Sequence, residues 1–326
     1  MNKLFVFAFM VALSITIMAG SAQDAHAAAV RLGFDANTFP RNDDSSTPPI
    51  DIEFEDETDL DNVNDPINFF GSTFLQLIIN NNGNISFDSA ISDFTPFDLS
   101  DANTRIIAPF FADVDTTFTG LPVTYATGTV NGRDAFGVNW VDVDCRGVAT
   151  PDDEINPNLP IPNPSATVFN SFQLILVERF DTGSGNFDIE FNYDSIKWEA
   201  GDASGGGETC VGGQTAIVGY SDGGANTFQF PGSDVDGALL DDGPNSLIQN
   251  SLNSNVLGRY IIPVRAGMPN PDPVELIGGE ILSINATALL VSGAFANALW
   301  MLPMLAGIAG TGLYLTRSRW NKTQED

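Results

Sequence analysis

Apolar and polar positions alternate in short runs along most of the chain, and Asn, Gly, Asp and Pro separate the runs. Phe187, Ile189, Phe191 and Tyr193 alternate with Asp188, Glu190, Asn192 and Asp194. A period of two predicts a strand with one face on a core and the other in water. Residues 172–177 (FQLILV) are apolar on both faces, as a central strand is, and Asp181-Thr182-Gly183-Ser184-Gly185 supplies the turn between these two strands. In FLQLIINNNGNISF (74–87) two apolar runs flank Asn-Asn-Asn-Gly, a hairpin whose turn residues tolerate positive φ. Asn131-Gly132 marks a second hairpin, between residues 123–130 and 135–143. The run RIIAPFFADVDTT (105–117) reads as a buried strand ending in an acidic loop. No amphipathic helical pattern interrupts these segments. The prediction is an all-β chain built on an antiparallel β-sandwich-like domain over residues 66–265. Phe110, Phe111, Trp140 and Trp198 fall on its strands as core side chains. The alternative for these rings is a ligand-stacking platform.

The ends read differently. Residues 1–27 form a secretory signal peptide, with Lys3, an apolar run over 4–18 and the small-x-small site Ala25-His26-Ala27. An uncleaved N-terminal anchor is the alternative, and the shortness of the run disfavours it. Residues 28–65 are expected to be an acidic, partly disordered arm broken by Pro40, Pro48 and Pro49, with one short strand where Ile50, Ile52 and Phe54 alternate with acids. A Pro/Gly linker follows the domain over 266–285. No charged residue occurs from 286 to 315, and Arg317, Arg319 and Lys322 come directly after. That pattern predicts one C-terminal transmembrane helix over 294–315 and a basic cytoplasmic tail over 316–326. The expected topology is a single-pass type I protein of the cell membrane with its domain extracellular.

Charge and chemistry narrow the function. Asp and Glu number 42 against 13 Lys and Arg, a net charge of −29, and an acidic surface repels nucleic acid. The acid serves either as a solvated surface or as a source of Ca²⁺ ligands. Residues i and i+2 of an extended strand point the same way, which makes Asp113 with Asp115 the first candidate metal pair. Asp142 with Asp144 and Asp234 with Asp236 come after it, and none of the three fits an EF-hand loop. The single His, His26, lies in the signal peptide, so the mature chain has no imidazole for Ser-His-Asp or Cys-His catalysis or for a histidine zinc site. Lys197 is the one Lys between the signal peptide and the tail. Cys145 and Cys210 read as a disulfide in an exported chain, with two free thiols as the alternative. Asn84-Ile85-Ser86 and Asn285-Ala286-Thr287 are N-glycosylation acceptor patterns.

Seven blocks in order carry a family resemblance. They are the 74–87 hairpin, IIAPFFADVDT, GRDAFGVNWVDV, NSFQLILVERF, FDIEFNYDSIKW, AIVGYSDG and GRYIIPV. Together they resemble the NIDO (nidogen extracellular) domain of surface proteins, and Asp113 and Asp115 fall at the acidic position of its second block. The segment GGEILSINATALLVSGA (278–294) resembles C-terminal tails of prokaryotic surface proteins, archaeal ones among them. The resemblance implies an extracellular β domain associated with cell–matrix adhesion and supplies no catalytic residue. The expected function is non-enzymatic adhesion or recognition at the cell surface. Its expected partners are extracellular matrix, envelope glycan or a cell-surface protein. No cofactor is required, and Ca²⁺ is the one candidate ion. The alternatives are a structural envelope or lattice component that self-associates, and a glycoside hydrolase using two carboxylates about 5–10 Å apart.

Overall fold

Alternation, apolar runs and turn residues are laid out in the structure, a computed structural model that describes residues 29–55, 64–117, 120–145 and 169–272. In chain order the strands are β1 (Asn37–Thr38), β2 (Ile50–Asp51), β3 (Ile67–Phe69), β4 (Ser72–Phe74), β5 (Gln76–Asn80), β6 (Asn84–Ser86), β7 (Ile106–Phe111) and β8 (Thr124–Val130). They continue with β9 (Arg133–Val143), β10 (Asn170–Glu178), β11 (Phe187–Ser195), β12 (Ile217–Ser221), β13 (Thr227–Gln229), β14 (Arg259–Arg265) and β15 (Met268–Pro269). A seven-stranded sheet runs β1-β8-β9-β10-β11-β14-β15 and a six-stranded sheet runs β13-β12-β7-β6-β5-β2. Their strand pairs are antiparallel, and β3 and β4 form a separate small ladder. Among the described residues the domain is all-β, as its pattern predicts.

The apolar faces meet in one core. Trp140 stacks on Phe172 with ring centroids 5.3 Å apart, and Phe110 lies against Phe172 and Trp198. All of these rings are buried, so the strand aromatics are core and not a stacking platform. The Tyr193 hydroxyl on β11 donates to the Pro109 carbonyl on β7 at 2.6 Å, which ties the two sheets across the core. Proline has no N–H to give a ladder, and the β7–β12 register shifts beside Pro109. β7 is apolar throughout because it is buried on both faces. Its outer face is covered by Ile91, Phe97 and Leu99, which pack on Ile106, Ala108, Phe111 and Ile217.

The outer face of the seven-stranded sheet departs from expectation. Asp188, Glu190 and Asn192 were expected in water and are buried: Arg179 and Arg265 pair with Asp188, while the chain's own first described residues lie over Glu190 and its neighbours. The Ala29 N–H donates to Asp194, and its carbonyl accepts from Arg259. Arg31 exchanges backbone hydrogen bonds with the Gln173 side chain and pairs with Glu190. Phe34 then settles over Gly137 and Gly128, and β1 joins the edge of β8. This strap makes residues 29–38 part of the sandwich. Phe39, Ile52 and Phe54 are likewise buried in its core, so the described part of the expected arm, 29–55, is built into the domain.

Cys145 and Cys210 are joined, closing a 65-residue separation. No helix among the described residues is long and apolar enough to cross a membrane. The signal peptide at 1–27, Asn285, the span at 294–315 and the tail at 316–326 lie outside the described residues.

Candidate functional site

An acidic corner of the domain forms where β7 runs out. After Phe111 the chain continues through Ala112 and Val114, both buried, and carries Asp113 and Asp115 between the two sheets. The β5–β6 turn holds this stretch from below. The Val114 N–H donates to Asn82 Oδ1 at 2.9 Å, the Asn81 amide donates to the Val114 carbonyl, and Trp140 Nε1 donates to the Asn81 carbonyl at 2.9 Å. Gly83 makes the turn possible. It has φ +71°, and a Cβ there would lie 1.8 Å from the Phe110 carbonyl oxygen.

This turn is no exposed hairpin tip. Asn80, Asn81, Asn82 and Asn84 are all buried and sew neighbouring segments together. Asn80 Oδ1 accepts from Ser46 Oγ and the Ile91 N–H, while Asn82 Nδ2 donates to Asp44 Oδ1 at 2.8 Å. Asn84 Oδ1 accepts from Asn80, and its Nδ2 donates to the Asn82 carbonyl. With its side chain 0% exposed, Asn84 leaves no room for a glycan in the folded domain, so the acceptor pattern there is not an available site.

Asp43, Asp115 and Asp144 lie abreast, paired through backbone bridges. Asp115 accepts from the Thr117 N–H at 2.6 Å, and Asp144 accepts from the Cys145 N–H at 2.8 Å. Arg41 braces the corner by donating to the Thr116 and Gly120 carbonyls, each at 2.8 Å. The carboxylates that converge are those of Asp43, Asp44 and Asp113, with ligand oxygens all within 4.8 Å of one another. Asp113 is the buried member, and Gly201 packs against it so closely that a Cβ would lie 2.0 Å from Oδ2. Thus Asp113 and Asp115 share a corner, while Asp113 gathers with the Asp43–Asp44 pair and not with Asp115. Donors of this kind are hard oxygens, the type suited to Ca²⁺.

In the other two aspartate pairs one member leaves the extended geometry on which the pairing was expected. Asp142 and Asp234 both adopt positive φ, which breaks the extended geometry that would aim residues i and i+2 alike. Asp142 accepts from Ser171 Oγ at 3.1 Å instead. Asp236 meets Glu199, a partner that no local spacing reveals. Buried Glu199 accepts from the Gly237 N–H at 2.8 Å and the Gly212 N–H at 3.2 Å, and shares a hydrogen bond with Asp236. Burial pushes the Glu199 carboxyl above its ordinary value and the Asp236 carboxylate adds to this, against the pull of the two N–H donors. Lys197 pairs with Asp241 at 2.5 Å.

A model of the nidogen-like domain family matches residues 75–266. Chicken (Gallus gallus) alpha-tectorin is 30% identical over 273 residues, covering 74% of this chain and 11% of its own length. Mouse (Mus musculus) alpha-tectorin is 32% identical over 245 residues, 68% of this chain and 10% of its own, and human (Homo sapiens) alpha-tectorin is 31% identical over the same length and shares. The chain therefore spans about a tenth of these relatives. No solved structure matches it significantly.

Proposed function

Because the chain belongs to the nidogen-like domain family, we propose that it works outside the cell by recognition and adhesion and not by turnover. The observation that carries this reading is the alignment with alpha-tectorins across 68–74% of the chain. A membrane segment at 294–315, uncharged and followed by Arg317, Arg319 and Lys322, holds the domain at the surface in this proposal. Partners are matrix or envelope glycans or other surface proteins.

The test is adhesion of beads coated with the full chain to cells and to polysaccharides. Capture above bare beads on at least one surface is expected, and capture on none overturns the reading. Running the assay in calcium and in chelator tests the cation expected at Asp113 and Asp115. A metal-ordered corner predicts capture that is lost in chelator and weakened by Asp113→Asn.

A further inference from the structure

Exposed sheet edges template pairing with other chains, and folded proteins blunt them with short strands, prolines, charges or cover. Three of the four edges of the two large sheets are blunted among the described residues. β13 has three residues and β2 has two. β15 has two, one of them Pro269, and β14 behind it is bonded by the Ile261 N–H to the Leu252 carbonyl and by Asn253 to the Ile261 carbonyl. The fourth edge is β8, with sequence TYATGTV. It carries no charge, no proline and no bulge, and β1 pairs only with Thr124 and Tyr125. Among the described residues nothing pairs with Ala126–Val130 on that side.

The direction of its backbone groups follows from the hairpin. Asn131 and Gly132 both have positive φ, and Val130 stands opposite Arg133, the geometry of a two-residue primed turn. The flanking pair of such a turn is hydrogen-bonded, so Val130, Gly128 and Ala126 face β9, and Thr129 and Thr127 send their N–H and C=O groups outward. The Phe39 N–H bonded to the Val123 carbonyl fits the same alternation. Thr127 and Thr129 are exposed.

From these observations we infer that β8 pairs antiparallel with β8 of a second copy of this chain, about a two-fold axis at Gly128. Thr127 of each copy then exchanges hydrogen bonds with Thr129 of the other, and Ala126 stands opposite Val130. The free stretch is self-complementary over the length left between β1 and the hairpin tip. Gly128 sets the axis with no side chain at the closest approach, and its outer face is already filled by Phe34, 3.0 Å from where a Cβ would be. A chain of net charge −29 repels its own copies almost everywhere; the uncharged strip is where that repulsion is least. Self-pairing therefore tightens as salt rises. This inference goes beyond the recognition reading and does not depend on it.

The test mixes two full-length variants, Thr127→Cys and Thr129→Cys, under mild oxidation. The mixture is expected to cross-link at least about tenfold more than either variant alone, because only unlike positions face each other at hydrogen-bonded-pair spacing. Sedimentation of the wild-type chain at about 0.1 mM, where a micromolar Kd fills the dimer, is expected to show dimer in raised salt. Thr127→Asp with Thr129→Asp, which sets carboxylates opposite one another on an exposed strip, is expected to stay monomeric. Equal cross-linking by the single variants, undiminished association of the Asp variant, or a monomeric wild-type chain overturns the inference. A monomeric chain that captures an extended foreign peptide on β8 overturns it equally.

Discussion

The Arg31 guanidinium grips Glu190 through Nε at 2.6 Å and Nη2 at 3.0 Å, across 159 residues of chain. Glu190 is 2% exposed, and Arg259 Nε approaches the same carboxylate at 3.2 Å. Removing one partner of a buried pair costs about 3–5 kcal/mol because the remaining charge is left uncompensated. Glu190→Ala, which strands two arginines, is expected to cost that much in urea unfolding. Arg31→Ala is expected to fall at about 3 kcal/mol, the lower end, because Arg259 remains.

Gly137 leaves the space that Phe34 fills, since a Cβ there would lie 2.4 Å from Phe34 Cγ. Gly137→Ala is expected to destabilise by about 1–3 kcal/mol through overpacking. The added methyl presses on one ring, so Phe34→Ala in the same chain should show strong coupling in a double-mutant cycle. Gly83→Ala meets rigid backbone and a positive φ together, and is expected to cost more than Gly137→Ala.

Replacing both Cys145 and Cys210 by Ala releases a loop of 65 residues. On the chain-entropy estimate the loss is about 4 kcal/mol. Thermal unfolding of the double variant against wild type measures it.

Glu199 predicts a pH dependence with a definite sign. Its folded value is raised by burial and then by Asp236, so the folded state holds the proton more tightly than the unfolded chain does. The stability gained is complete below the ordinary glutamate range near about 4.3 and is lost as pH rises through the folded value. Glu199→Gln keeps an oxygen for the Gly237 N–H and cannot ionise. The wild-type stability minus that of Glu199→Gln is therefore expected to fall as pH rises from that range; a flat difference would contradict the raised folded value.

Local signals carried much of this architecture. The Asn131-Gly132 turn, the two-faced apolar run of β10, the alternation of β11 and the Cys145–Cys210 bond all appear where the residues place them. Three features were hidden for physical reasons. Alternation in β11 separates two environments, yet a polar face over Glu190 and Asn192 can be satisfied by Arg31, Arg259 and Gln173 as well as by water. Asn-Asn-Asn-Gly encodes a turn, while its burial depends on segments 42–46 and 91–93 folding over it. Asp113 meets Asp43 and Asp44 because the Asp43–Asp115 bridge and the Asn82–Asp44 bond hold a distant segment beside it, which no spacing within 105–117 expresses.

The strap over the seven-stranded sheet also sets an order of events. Its partners Glu190, Asp194 and Arg259 lie 159 to 230 residues downstream, so the part of the domain made first is secured only after nearly all the rest exists. Contacts of such separation form late in folding. During that interval the sheet must wait with its outer face uncovered. A hydrophobic face would invite aggregation while it waited. Under Arg31 that face is polar, and Gln173, Glu190 and Asn192 can stay hydrated until the strap returns, whereas the apolar patch of Val130, Ala135, Ile175 and Val177 waits for Phe34 alone.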